Sequence, residues 1–309
     1  TITNFDGPGD IAEVANVKAL SLSSLDESTG NWGIALMRLL ANLNPTSSED
    51  ITVLLFGDVM VENAGDTNEI REGIANTYAN IRRYPIADAT VVDSVAPGDV
   101  VQITGRVEDN SWIRVVNPAT NIAGWIFADL LSIGDVEALE VVENTSPYYG
   151  PMQAFYFESG TGSLSCASMP SDGMIIQTPE GLRRVTFWIN EVTIDFMAAT
   201  GSTAFVQTTD DENMSISLLE GSAYVGGDSG GYVAVAGSTV NVHRDKNDSN
   251  GTTSVQVSYP QPTNASSTVG IPTGLLDRDI KTAPPAVIDQ IDSANNGIIE
   301  PTSSDPTDT

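Results

Sequence analysis

The chain has 309 residues, 41 of them acidic and 13 basic, which gives a formal charge of −28. Only 17% of residues are charged, so the acidity comes from scarce Lys and Arg and not from dense carboxylate runs. Such a surface repels nucleic-acid phosphates and anionic membranes, because binding to either works through clustered Lys and Arg. Neither partner is expected. No run reaches the ~18 apolar residues of a membrane span, so no membrane insertion is expected. The single cysteine, Cys166, and the single histidine, His243, allow neither an intramolecular disulfide nor a zinc site of the Cys/His type. The chain opens on Thr1, which leads us to expect an exported protein with its leader removed, extracellular or on the cell surface.

In chain order, 1–24 is polar and punctuated by Gly and Asp, with one apolar patch at 11–22. The apolar run 32–41 fits a buried strand or a helix equally, as short runs do. Residues 44–48 carry turn chemistry, and 51–57, apolar, partly β-branched and closed by Gly-Asp, predicts a strand. Short strands at hairpin spacing are predicted at 78–82, 90–92, 100–107, 112–116 and 124–127, separated by Pro97-Gly98-Asp99 and Glu108-Asp109-Asn110. An acidic connector leads to a second β-rich stretch, with clear alternation at 185–189 and 192–196 and further strands at 204–208, 214–219, 223–225 and 232–236. From Pro260 onward Pro, Ser, Thr, Asn and Asp dominate. That composition predicts a flexible tail, while the patches 271–276 and 286–291 predict one that docks. Many short strands and few helical periods predict an all-β chain. The expected divisions are an N-terminal arm and β-rich segment (1–73), a small barrel (74–133), a connector (134–151), a larger antiparallel domain (152–245) and an extended C-terminal arm (246–309).

Tyr78-Ala79-Asn80-Ile81-Arg82-Arg83-Tyr84-Pro85 resembles the opening strand and loop of bacterial Src-homology-three (SH3-like) domains. Three more landmarks follow in order: Val95-Ala96-Pro97-Gly98-Asp99-Val100-Val101, then Ser111-Trp112-Ile113-Arg114-Val115, then Ala123-Gly124-Trp125-Ile126-Phe127. Each tryptophan offers roughly 150–250 Å² to bury, enough to anchor a very small barrel. Trp112 and Trp125 therefore have two readings, core anchor or wall of a groove for a peptide or glycan. The stretch 175–242, with Leu219-Glu220-Gly221-Ser222-Ala223-Tyr224-Val225 at its centre, resembles the β domain of iron-transport regulators of the FecR type. In its order of modules the chain resembles secreted surface proteins of Chloroflexota-like bacteria, which implies an all-β fold outside the cytoplasm and no particular activity.

Gly227-Asp228-Ser229-Gly230-Gly231 matches the pentapeptide around a protease nucleophile. A serine needs a base, and His243 lies downstream of Ser229 where that fold requires it far upstream. The strand patterns on either side predict a Gly-rich hairpin turn instead. Asp245, Asn247 and Ser249 space oxygens two apart, like the start of a calcium loop, but without the closing Glu. A hairpin tip is the other reading of that segment, and the acidic turn 209–213 has the same pair of readings. No cofactor other than possible calcium is implied, and no pair of acids is singled out for catalysis, so no enzymatic activity is expected. The leading functional expectation is a self-assembling filament, sheath or surface-layer subunit, its partners copies of itself. Apolar arm residues would dock in a neighbour or add a strand to it: Ile11, Val14, Leu20 and Leu22 at one end, Ile271, Leu275, Leu276, Val287 and Ile291 at the other. The alternative is a protein that binds cell-wall peptidoglycan or glycan through the barrel, with Tyr84, Trp112 and Trp125 as its contacts.

Overall fold

In the computed structural model of the chain, the described residues are 7, 9–26, 28–39, 50–64, 71–120, 122–144, 148–150, 152–160, 172–181, 184–197, 200–227, 230–245 and 253–296. The architecture is all-β. The N-terminal part forms β1 (Ala19–Leu22), β2 (Ile34–Leu39), β3 (Ile51–Phe56) and β4 (Val59–Asn63). Next come β5 (Arg71–Ala75), β6 (Ala79–Arg82), β7 (Val91–Val95), β8 (Val100–Arg106), β9 (Trp112–Asn117), β10 (Ile122–Phe127) and β11 (Leu131–Ser132). The third group begins with β12 (Ala154–Ser159), β13 (Gly173–Gln177), β14 (Val185–Ile189), β15 (Val192–Phe196) and β16 (Thr203–Thr208). It ends with β17 (Asn213–Glu220), β18 (Ser222–Gly227), β19 (Gly230–Val235), β20 (Ser238–Asp245), β21 (Ser254–Val257), β22 (Gln261–Pro262) and one helix, α1 (Ile288–Asn295). Among the described residues no helix is long and apolar enough to cross a membrane.

Two units result, one from residues 7–39, 50–64 and 152–296 and the other from 71–150. The larger unit has two sheets, β1-β4-β12-β14-β15-β18-β19 and β2-β3-β13-β16-β17-β20-β21, antiparallel apart from β12 with β14. The N-terminal segment and the 152–245 domain, expected as separate regions, thus contribute strands to both of these sheets. Residues 71–150 leave and rejoin this unit between β4 and β12, which pair directly, Asn63 opposite Phe155. Strand periodicity explains the core: in β14 the buried Val185, Phe187 and Ile189 alternate with half-buried Thr186 and Trp188. β3 is buried at every position, because its sheet is covered on both faces.

The cover on one of those faces is the C-terminal segment. Leu54, Phe56, Ile175, Phe205 and Leu219 form an apolar patch on which Trp32, Ile271, Leu276 and Ile280 pack. Beside it, side chains from adjacent strands form a polar row: Arg38, Thr52, Gln177, Thr203 and Glu220. Asp277 accepts from Arg38 through both carboxylate oxygens (2.7 and 3.0 Å) and from the Thr52 hydroxyl (2.8 Å). The Gln177 carboxamide donates to the Arg278 carbonyl (2.8 Å) and accepts from its N–H (3.0 Å), while the Arg278 guanidinium pairs with Glu220 (2.6 Å). Further on, Ala283 N–H donates to Leu219 and Ala286 N–H to Gly237. The Asn295 carboxamide closes α1 onto the Val233 main chain at 2.9 and 3.0 Å.

The apolar arm residues named from the sequence lie mostly against their own chain. Ile271, Leu276 and Ile291 pack within their own chain, Ile291 completely, while Leu275, Val287 and the adjacent Ile288 remain exposed. At the other end Leu20 and Leu22, half-buried, belong to β1, which pairs with β4 opposite Val61 and Val59. Val14 is half-buried in a short 3-10 turn, and Ile11 alone stands out, at 86% exposure. Most of these residues are thus engaged within their own chain, and a filament is not supported.

Candidate binding face of the barrel

The smaller unit closes its sheet in the order β11-β5-β8-β9-β10-β6-β7 around a core that includes Ile81, Val101, Ile113, Val115 and Ile126. Alternation sends the other set of side chains outward: Trp112, Arg114 and Val116 on β9, Ala123, Trp125 and Phe127 on β10. Gly124 explains the Gly-Trp pair of the closing strand. A Cβ there would stand 2.6 Å from the Arg82 carbonyl and from the Ile81 side chain, where β6 crosses β10.

On the outward face Arg82, Trp125 and Arg114 sit directly opposite one another across three strands. Trp125 is 3% exposed and so is an anchor, not the groove wall that was its other reading. Both flanking guanidinium groups are engaged by main chain. Arg114 donates to the Thr104 carbonyl and hydroxyl (3.1 Å each) and lies 5.9 Å from the Tyr148 ring centroid. Burial pushes the Tyr148 phenol above its ordinary pKa, and Arg114 partly opposes that. Arg82 donates to the Ala89 carbonyl at 2.7 Å and thereby fixes the loop 83–90.

One row further along, Trp112 pairs opposite Phe127 with ring centroids 5.6 Å apart and planes at 79°. Phe127 is 39% exposed and Trp112 half-buried, so this edge-to-face pair is open to a ligand. It stands beside an acidic turn in which Asp109 accepts from the Ser111 N–H and hydroxyl, holding its carboxyl below the usual range. Tyr84 and Ile86 project from the 83–90 loop at 47% and 53% exposure, while Pro85 between them is buried. Tyr84 is exposed and Trp112 half-buried, and the exposed Phe127 and Ile86 were not among the residues named from the sequence. Phe127 was readable in principle: it lies two residues after Trp125, hence on the same face.

Asp245 ends β20 opposite Ser254, while Asn247 and Ser249 lie outside the described residues. Among the described residues no three His, Cys, Asp or Glu side chains stand close enough to hold a metal ion. In the other acidic turn Asp210 already accepts from the Glu212 and Asn213 N–H groups and from the Asn213 carboxamide. His243 contacts Asn213 at 3.0 Å through Nδ1. Asp228, Ser229 and Cys166 lie outside the described residues, but Gly227 and Gly230 on either side of the serine pair as the end of a β18–β19 hairpin.

Strand order, the 3-10 turn Ala128–Leu130 after β10 and the short closing strand β11 define a small SH3-like barrel. Residues 77–132 are similar to the family described as bacterial SH3 domain. No FecR-type domain is found over 175–242. Among the curated proteins and the solved structures compared with the chain, none matches.

Proposed function

We propose that the chain is a non-catalytic protein of the bacterial surface that attaches to peptidoglycan through its barrel, with Trp112 and Phe127 as the contact pair. The observation that carries this reading is the open aromatic pair on a barrel similar to bacterial SH3 domains. Rigid aromatic rings supply contact area at low entropic cost and recur as binding anchors. The acids around them, Glu108, Asp109 and Asp129, suit the ammonium groups of wall peptides and repel anionic wall polymers.

The test is co-sedimentation with purified peptidoglycan. Wild type is expected in the pellet. Phe127→Ala, which removes a side chain already 39% exposed and so leaves the barrel folded, is expected to weaken binding about tenfold, the ~1.4 kcal/mol of a modest anchor. Wild type remaining in the supernatant would overturn the reading.

A further inference from the structure

The outward face of the sheet β1-β4-β12-β14-β15-β18-β19 carries a second set of open aromatic rings. Tyr156 on β12 is 41% exposed and meets half-buried Trp188 on β14 edge to face, at 5.5 Å and 78°. Trp188 stands opposite Thr193, Thr193 opposite Gly226, and Gly226 opposite Gly231, so this row runs across four strands. Tyr224, two pairs along on β18, lays its ring over the two glycines. A Cβ at Gly226 would meet the ring at 2.6 Å, and one at Gly231 would meet it at 2.8 Å. The glycine-rich stretch that mimics a protease motif is therefore the seat of a tyrosine ring. Trp188 and the Tyr224 ring flank the low Thr193 at two strand spacings, about 10 Å.

We propose that this face binds a strand of uncharged polysaccharide, whose C–H faces stack on Tyr156, Trp188 and Tyr224. A sugar ring presents weakly positive C–H groups that match the negative face of an aromatic ring. The hydroxyls around it find acceptors on the same sheet: Glu62 directly opposite Tyr156, Glu158 next along β12, and the Thr186 and Thr193 hydroxyls. Charge selects this occupant. The carboxylates repel a polyanionic glycan, and the nearby cations are paired, Arg184 with buried Asp195, and Arg244, beside Tyr156, with Glu191. A protein partner covering the face would have to desolvate Glu62 and Glu158, whereas a single polysaccharide strand leaves them wet at its edge. This site is independent of the barrel and of its proposed ligand.

Retention of the full chain on insoluble cellulose, with soluble carboxymethylcellulose as the anionic counterpart, tests the proposal. Wild type is expected to be retained and not to be eluted by the carboxymethylated polymer. Trp188→Ala and Tyr224→Ala are each expected to lower affinity at least tenfold with unchanged circular dichroism. Gly226→Ala keeps every ring but lifts the Tyr224 ring from its seat, and is expected to weaken retention severalfold. Absence of wild-type retention would overturn the proposal. So would retention that survives both aromatic substitutions, or that disappears in Trp112→Ala while persisting in Trp188→Ala.

Discussion

Gln177 is the residue through which the C-terminal strap is most simply detached. Its side chain, in a residue 3% exposed, makes two hydrogen bonds to the main chain of Arg278, one as donor and one as acceptor. Gln177→Ala removes both, and at about 1 kcal/mol net for each the strap loses about 2 kcal/mol. The orphaned Arg278 groups can rehydrate once the strap lifts, so the loss falls on local opening and not on global unfolding. About 2 kcal/mol corresponds to roughly thirtyfold in the opening equilibrium. Native-state hydrogen exchange reads this directly at the amides of Ala283 and Ala286, which bond Leu219 and Gly237 and are untouched by the substitution. Both are expected to exchange about thirtyfold faster. Wild-type exchange rates at these two amides would refute the view that the polar row holds the segment down.

Acid should loosen the same strap. The Arg38 hydrogen bond, aided by Thr52, holds the Asp277 carboxyl below its ordinary pKa against an opposing desolvation effect. A depressed carboxyl contributes stability that is fully present above the unfolded value near 3.8 and is lost as pH falls through the folded one. Both partners are well exposed, so the pair is worth about 0.2–1 kcal/mol at most. Proteolysis within 270–285 is expected to speed up a few-fold below pH 4, and Asp277→Asn should remove most of that dependence. Gly237→Ala should destabilise by about 1–3 kcal/mol in denaturant titrations. Its φ is +81° and its Cβ would stand 2.0 Å from the Pro284 carbonyl, so both backbone and strap must shift. Ile81→Ala, at a fully buried barrel position, should cost about 2–5 kcal/mol and show as a lowered first transition on melting, if the two units unfold separately.

The all-β class and the barrel were legible because their signals are local. Alternation at 185–189 and 192–196 reports one buried face each, and four barrel landmarks fall within 60 residues. The larger unit was legible only in pieces. β4 and β12 are neighbours in space but separated in sequence by the whole barrel, and no periodicity records such a pairing. β2 looked ambiguous because its outward residues include the apolar Ile34 and Leu36, which blur the period. The C-terminal segment was misread for a different reason. Its composition is polar because much of its docking is polar, through Asp277, Arg278, Asn295 and main-chain amides. The apolar patches correctly announced docking, but whether it occurred in cis depended on the row Arg38–Thr52–Gln177–Thr203–Glu220, which exists only once five strands are aligned.

The same alignment gives the acidity a local cause. A chain of many short strands needs many turns, and each turn leaves main-chain N–H groups without partners that a carboxylate two or three residues away can accept. Asp26 accepts from the Ser28 N–H and from the Ser28 and Thr29 hydroxyls, which pull its pKa down to about 2. Asp99 accepts from Ala96 N–H, Asp109 from Ser111, Asp135 from Glu137 and Asp210 from Glu212 and Asn213. Lys and Arg carry no acceptor and cannot take these places. In the barrel, the guanidinium groups of Arg82, Arg106 and Arg114 are bound to carbonyls. Part of the negative charge thus follows from the density of turns. A carboxylate already accepting two or three hydrogen bonds offers little to a calcium ion. On the two proposed binding readings the role of the acidity is selectivity, since carboxylates beside the aromatic pairs would favour hydroxyl or ammonium groups over phosphate, sulfate and uronate.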